Sequence, residues 1–339
     1  DNSSINIDRV RVRKYLLHLL RKIFNKKSID CAIGAGLFYN QDLDWGASVT
    51  KAGYPYIVFH RENLIVNKDT YLDAIQKAKK LNKIGFVGTS IVFQNKVMKS
   101  VFDKYSGVDS SRIHSLGATR MDQYIRDIES KKNTLNNNRI TLFTFPPSNS
   151  ILPENFVQFG WHELHDEVHI SFVELAKENP EIEFVIKHKG VKWEETEALL
   201  RNINAFNVGN LKIYGEYDYN THKLILESDV ITGFCSTALL EAAIAGKPIV
   251  YPLFAEASDS QYSDFICFSD SLDMFDIAKS NKEYKKILIQ RLLNSEVLEK
   301  TMKLRGMQFE KYVSSLDSSA TKKYSDLIIN ESKKNNKYR

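Results

Sequence analysis

With 339 residues, 43% of them hydrophobic and 26% charged, the chain has the length for two domains of ordinary size, and collagen-like, low-complexity and disulfide-scaffold classes are excluded. A formal charge of +5, from 47 basic and 42 acidic residues spread along the chain, is too small to signal a nucleic-acid binder. Cys31, Cys235 and Cys267 stand far apart without a CxxC pair, so neither a disulfide framework nor a zinc ribbon is supported, and a reducing cytosol is expected. No apolar run reaches the roughly 18 residues that span a bilayer, and no secretory leader pattern opens the chain. Asp1 in place of an initiator Met leaves room for a processed or trimmed start.

Segment 8–27 sets Val12, Tyr15, Leu16, Leu19, Leu20 and Ile23 at helical spacing among many Lys and Arg residues. It reads as a basic amphipathic helix, docked on its own domain or laid against anionic lipid headgroups. From residue 29 onward short apolar runs alternate with helical stretches, the pattern of parallel sheets with crossover helices. The expected strands are 29–36, 54–62 and 84–89, with helices after Asp44, at 69–82 and at 90–104, and a strand end and turn at 115–122. Polar residues 130–138 have no apolar period and read as a linker. A second series follows: strands 139–146, 181–189, 211–215, 229–233 and 247–252, helices 162–179, 193–202, 219–227 and 236–246, then helices near 282–293 and 296–330. Two such series imply two Rossmann-like domains facing across a cleft, 1–135 and 139–330, with C-terminal helices that close the chain and a last helix able to cross back to the first domain.

The most informative stretch is SDVITGFCSTALLEAAIAGKPIVYP, 228–252. A strand ends at Gly233, and a helix is expected to open at Ser236 or Thr237, where hydroxyls and unpaired backbone N–H groups suit a phosphate. Plain helix capping would use the same residue types. Glu241, inside that helix, can face back toward a ribose hydroxyl. The pattern resembles the nucleotide-sugar half-site of GT-B glycosyltransferases of bacterial capsule and surface carbohydrates. Within that group it is similar to transferases of Kdo or related acidic sugars from CMP donors and, more distantly, to CDP-glycerol phosphotransferases.

The resemblance implies further site residues. FVIKHKG, 184–190, matches a strand end that carries a basic cluster near the nucleotide, here Lys187, His188 and Lys189; two lysines ending a strand can also be merely solvated. YIVFHREN, 56–63, places His60 in the cleft and Glu62 as candidate general base, with pairing of Glu62 to Arg61 or Arg120 as the structural alternative. GATRMD, 117–122, offers Asp122 either as the nucleophile of a retaining reaction or as the partner that orients Arg120. Gly36 in GAGLF belongs to the loop that faces acceptor and donor phosphates in such enzymes. His162, His165 and His169 share a helical face, yet the HExxH spacing is missing, so His162 is expected near donor or acceptor and no metal is expected. Asp42 and Asp44 form a DxD that reads as a helix cap.

These residues describe a metal-independent glycosyltransferase that moves an acidic sugar from a CMP donor to a surface-glycan or glycolipid acceptor in the cytoplasm, at the inner face of the membrane if segment 8–27 binds it. CDP-glycerol-type phosphotransfer, UDP-sugar epimerisation and a non-catalytic glycan-binding module are the alternatives.

Overall fold

A computed structural model describes residues 2–61, 65–130, 137–147, 160–190 and 193–336. In chain order the first half holds α1 (Asn2–Lys27), β1 (Ala32–Gly34), α2 (Asn40–Lys51), β2 (Tyr56–Phe59), α3 (Lys68–Ile84), β3 (Ser90–Phe93), α4 (Lys96–Tyr105), β4 (Ile113–Ser115) and α5 (Thr119–Ser130). The second half holds β5 (Arg139–Phe143), α6 (His162–Glu178), β6 (Glu183–Lys187), α7 (Trp193–Asn202), β7 (Leu211–Tyr214), α8 (Thr221–Glu227), β8 (Val230–Gly233), α9 (Ala238–Ile244), β9 (Ile249–Pro252), β10 (Asp276–Ala278), α10 (Asn281–Leu293), α11 (Glu299–Tyr312) and α12 (Ala320–Asn336). Two compact units result: Asp1–Arg126 with Glu310–Arg339, and Asp127–Phe309. Relative to the 1–135 and 139–330 limits expected from sequence, residues from Glu310 onward group with the first unit.

In the first unit β1 to β4 lie side by side in sequence order, all parallel. The third strand falls later than expected. Gly85, at φ 76, ends α3, and the uninterrupted, fully buried run Ser90–Phe93 pairs with β2 in place of the glycine-broken 84–89. Tyr56 of β2 explains two glycines: a Cβ at Gly34 would come within 1.9 Å of its Oη, and one at Gly46 within 2.4 Å of its ring. Asp44 lies inside α2 rather than at its start, and accepts from Arg9 at 3.0 Å and Arg13 at 2.6 Å on α1. Burial works to raise the pKa of this carboxyl, and the two guanidinium bonds outweigh it and hold it below the ordinary value. Neither aspartate is the cap expected from sequence: Tyr39 is the N-cap of α2, with no side-chain capping bond, and Asp42 stands in the first turn, where its charge suits the helix dipole.

The single helix expected over 296–330 is two, α11 and α12. Asp122, buried at 4% exposure, stands behind the break: one carboxylate oxygen accepts from the backbone N–H of Ala320 at 3.0 Å, the other from Thr321 at 2.7 Å. Ser314 accepts from the N–H of Ala118 at 2.9 Å, and Tyr324 donates to the carbonyl of Gly117 at 3.2 Å. Asp122 therefore caps a helix 198 positions away in the chain.

In the second unit six parallel strands run in the order β10-β9-β8-β5-β6-β7. β10, a three-residue edge strand, was not foreseen, being too short to show alternation.

Candidate functional site

The sheet of the second unit reverses its strand order at β5, which pairs with β6 on one side and β8 on the other. Chain leaving the carboxyl ends of β5 and β8 diverges there, and open parallel sheets bind ligands at such a switch point. In the first unit the order runs from β1 to β4 without reversal among the described residues.

Gly233, the last residue of β8, pairs in register with Phe143, and a Cβ on it would stand 2.8 Å from the Phe143 carbonyl oxygen. Beyond it the chain turns at once. Phe234 packs among Phe145, Trp161 and Tyr251, and Cys235 adopts the left-handed conformation at φ 49. Ser236 and Thr237 follow, half-buried, and the helix begins at Ala238, one or two residues later than expected. Thr237 makes no capping bond with its side chain, while the Ser236 hydroxyl accepts from the N–H of Ala238 at 3.4 Å. Gly246, at φ 72, ends the helix, and the Lys247 ammonium is buried and donates to the Leu226 carbonyl at 3.0 Å. The lysine of the GKP motif is thus structural.

Glu241 is buried at 3% exposure, and its Oε2 lies 3.2 Å from Nε2 of His222 on α8. Sequence reasoning missed His222; its place one residue into a helix capped by Asn220, which accepts from the N–H of Lys223 at 2.9 Å, was the only signal.

The basic cluster after β6 divides three ways. The Lys187 ammonium is buried and donates to the carbonyls of Gly215 and Glu216, so it holds a loop, a structural role the sequence did not foresee beside the phosphate contact it suggested. His188 stacks on Trp193 at 3.7 Å, and its Nδ1 accepts from the N–H of Gly190 at 3.1 Å, which places the neutral ring's proton on Nε2. Burial lowers its pKa, and the charge of Lys187 adds to this. Lys189 is exposed.

The three histidines of α6 separate as well. His162 is exposed at the first position. His165 engages Asp166 at 2.8 Å and Thr196 at 2.9 Å; His169 engages the His165 carbonyl at 2.7 Å and Thr144 at 2.8 Å. Among the described residues no group of His, Cys, Asp or Glu could hold a metal ion. Burial first, then a neighbouring imidazole, pushes His165 down to about 4 and His169 down to about 3. Both are core histidines, neutral when folded. The unfolded chain takes up protons below about pH 6.5 and the folded chain does not, so stability falls with falling pH by about 1.4 kcal/mol per pH unit for each histidine. Urea unfolding at pH 7 and pH 5 checks this; a stability unchanged across that interval contradicts it. The N-terminus of α6 is occupied by Glu256, whose two carboxylate oxygens accept from the N–H groups of Glu163 at 2.7 Å and Leu164 at 2.8 Å.

In the first unit, the loops after β1 and β2 enclose a pocket of about 360 Å³ lined by Ala35, Gly36, Leu37, Phe38, Tyr39, His60, Arg61 and Lys77. Gly36 leaves room there for the Asp42 carboxylate, which a Cβ would meet at 1.9 Å and push aside. The Arg61 guanidinium lies 5.4 Å over the Tyr39 ring and donates to its hydroxyl. His60 Nδ1 lies 2.8 Å from the Arg61 carbonyl, an acceptor only, so Nδ1 carries the proton and Nε2 the lone pair. Burial lowers the His60 pKa, and the charges of Lys77 and Arg61 add to this, so the ring is neutral at pH 7. Glu62 lies outside the described residues. Arg120 is exposed at the start of α5, its guanidinium 4.0 Å from the Met121 sulfur. Asp122 has one backbone N–H of α12 on each of its two oxygens and is buried, an arrangement that fits a structural carboxylate better than the nucleophile the sequence offered.

No protein-family profile matches the sequence, and no curated protein does. Solved structures do. UDP-GlcNAc 2-epimerase from Neisseria meningitidis, bound to UDP-GlcNAc, is 14% identical and superposes with a TM-score of 0.53, over 94% of this chain and 81% of that one. MnaA of S. aureus in complex with UDP is 14% identical with a TM-score of 0.51, over 94% and 80%. A variant of the wall teichoic acid polymerase TagF is 13% identical with a TM-score of 0.51, over 83% and 69%. At such identity the likeness is one of fold: the chain has two Rossmann-like units of the GT-B type. Its structural neighbours are enzymes whose structures include nucleotide and nucleotide-sugar complexes.

Proposed function

We propose that the chain is a transferase that uses a nucleotide-activated donor, with the donor nucleotide bound by the second unit and the acceptor by the first. The observation that carries this reading is the buried Glu241, held by His222 immediately behind the Gly233–Thr237 turn at the switch point of the sheet. A carboxylate fixed there suits the ribose hydroxyls. The hydroxyls of Ser236 and Thr237 and the Nε2–H of His188 are donors for phosphate oxygens, and Lys189 supplies positive charge. The departing nucleotide gains negative charge as its bond to the sugar breaks, and these groups meet that charge. In the first unit the Nε2 lone pair of His60 takes the proton from the attacking acceptor hydroxyl. With Asp122 committed to α12, the acceptor oxygen attacks the sugar directly. The motif in 228–252 favours a CMP-activated acidic sugar such as Kdo as donor and a bacterial surface glycan as acceptor, made in the cytoplasm where such donors are supplied; CDP-glycerol is the next donor to try.

Calorimetry with CMP, CDP and UDP tests the donor site, and Glu241→Gln is expected to weaken the preferred nucleotide about tenfold. Assay of CMP release from CMP-Kdo then tests transfer. A chain that binds none of the three nucleotides contradicts the reading. UDP-GlcNAc 2-epimerisation is the second reading, favoured by the 94% coverage against the Neisseria enzyme; interconversion of UDP-GlcNAc and its 2-epimer, without acceptor, would establish it.

A further inference from the structure

The surface of α1 has three sectors. Leu20 and Phe24, at 1% and 4% exposure, turn into the core of the first unit, and Arg9 and Arg13 on nearly the same side are neutralised by Asp44. Next to this buried side runs a second apolar row, Val12, Tyr15, Leu19 and Ile23, at steps of three, four and four, which places them along one line of the helix. Val12 is 48% exposed, Tyr15 67% and Ile23 39%, so the row is not covered by the unit that carries it. Beyond it lie Lys14, Arg21 and Lys22, and Lys26 falls at its end; all four are exposed and have no acidic partner among the described residues. Leu16, partly buried against the core, lies between the two rows, so the apolar face of α1 is continuous and wider than the part the unit covers, and a helix that serves only as packing needs no more than the covered part.

We propose that α1 docks the chain on an anionic lipid surface, with the row from Val12 to Ile23 seated at the level of the acyl boundary and the lysines and Arg21 against the phosphates. This goes beyond the proposed transfer reaction and does not depend on it. Charge complementarity selects the occupant: an uncompensated cationic arc lies beside a shallow apolar row, and Tyr15, with its apolar ring and polar tip, suits the headgroup zone. Lys26 argues against a partner helix. It falls seven residues after Leu19 and eleven after Tyr15, hence within the apolar row itself. A packed protein face would bury its ammonium, whereas at a lipid interface the four-carbon stem lies along the apolar surface and the charge reaches a phosphate. No described helix is long and apolar enough to cross a membrane, so the contact is parallel to the surface.

The test is sedimentation of the whole chain with vesicles of phosphatidylcholine, with and without phosphatidylglycerol. Binding is expected only with phosphatidylglycerol present and is expected to fall in high salt. Lys22→Gln with Lys26→Gln should lower partitioning about twentyfold, and Val12→Asn with Ile23→Asn about tenfold. Both lysines are exposed, so thermal unfolding of that pair should be unchanged, and Val12→Asn with Ile23→Asn should lower the midpoint by only a few degrees with the chain still folded, which separates lost docking from lost folding. Equal binding to neutral vesicles, no vesicle binding at all, or a dimer in solution that Val12→Asn with Ile23→Asn dissociates would each overturn the proposal.

Discussion

Asp122→Ala lowers the stability of the first unit by about 2 to 3 kcal/mol: a capping carboxylate is lost, the N–H of buried Ala320 is left with no acceptor, and the exposed Thr321 loses its acceptor as well. Asp122→Asn costs less, about 1 to 2 kcal/mol, because the amide oxygen keeps one of the two bonds. Urea unfolding followed by a probe in the first unit measures both; each unit can unfold in its own transition, so a whole-chain midpoint is not the quantity to compare. The same variants separate two chemistries that one sequence motif allows. A nucleophilic carboxylate replaced by an amide loses activity by several orders of magnitude in fully folded protein. A capping carboxylate loses activity only as far as the folded fraction falls. Asp122→Asn assayed for nucleotide release well below its unfolding midpoint should keep activity within a few fold of the unaltered chain. Loss of a thousandfold or more would restore Asp122 to the chemistry.

Asp122 also marks where sequence reasoning runs out. The GATRMD turn is visible as a turn, but whether its aspartate faces a substrate or a backbone depends on α12, nearly 200 positions away, and nothing local encodes that meeting. Lys187 is the same case: a lysine at a strand end is ordinarily solvated, and only the loop at Gly215 and Glu216 turns it inward. Local signals did better where the residues themselves dictate the geometry. Gly246 and Pro248 end α9 and start β9 close to where the sequence placed them, because a left-handed residue followed by proline stops a helix. Gly233 was legible as the end of a strand, though not as the residue that lets β5 approach. The shift of the third strand has a similar root. Ile84, Phe86 and Val87 carry a strand-like composition, and pairing with β2 settles on the neighbouring run without glycine. His222 was unreadable because a histidine in the first turn of a short helix is commonplace until Glu241 is seen 3.2 Å away.

The other large effect concerns His60. His60→Ala should lower kcat about a thousandfold, the usual loss when a positioned base is removed, with little change in stability if a small apolar side chain is accepted beside Phe93. The pH profile is the sharper reading. A base works in its neutral form, so kcat/KM should rise with pH along a one-proton limb and level off, with its midpoint below the ordinary imidazole value of 6.5 because burial and the charges of Lys77 and Arg61 disfavour the imidazolium. Lys77→Met removes one of those charges while keeping the stem, and the limb should move toward higher pH; the same substitution has no reason to move a limb set by a distant group. If the limb stays in place in Lys77→Met and His60→Ala retains activity within a few fold, the proton leaves by another route, and Glu62, two positions on in the sequence, becomes the group to replace.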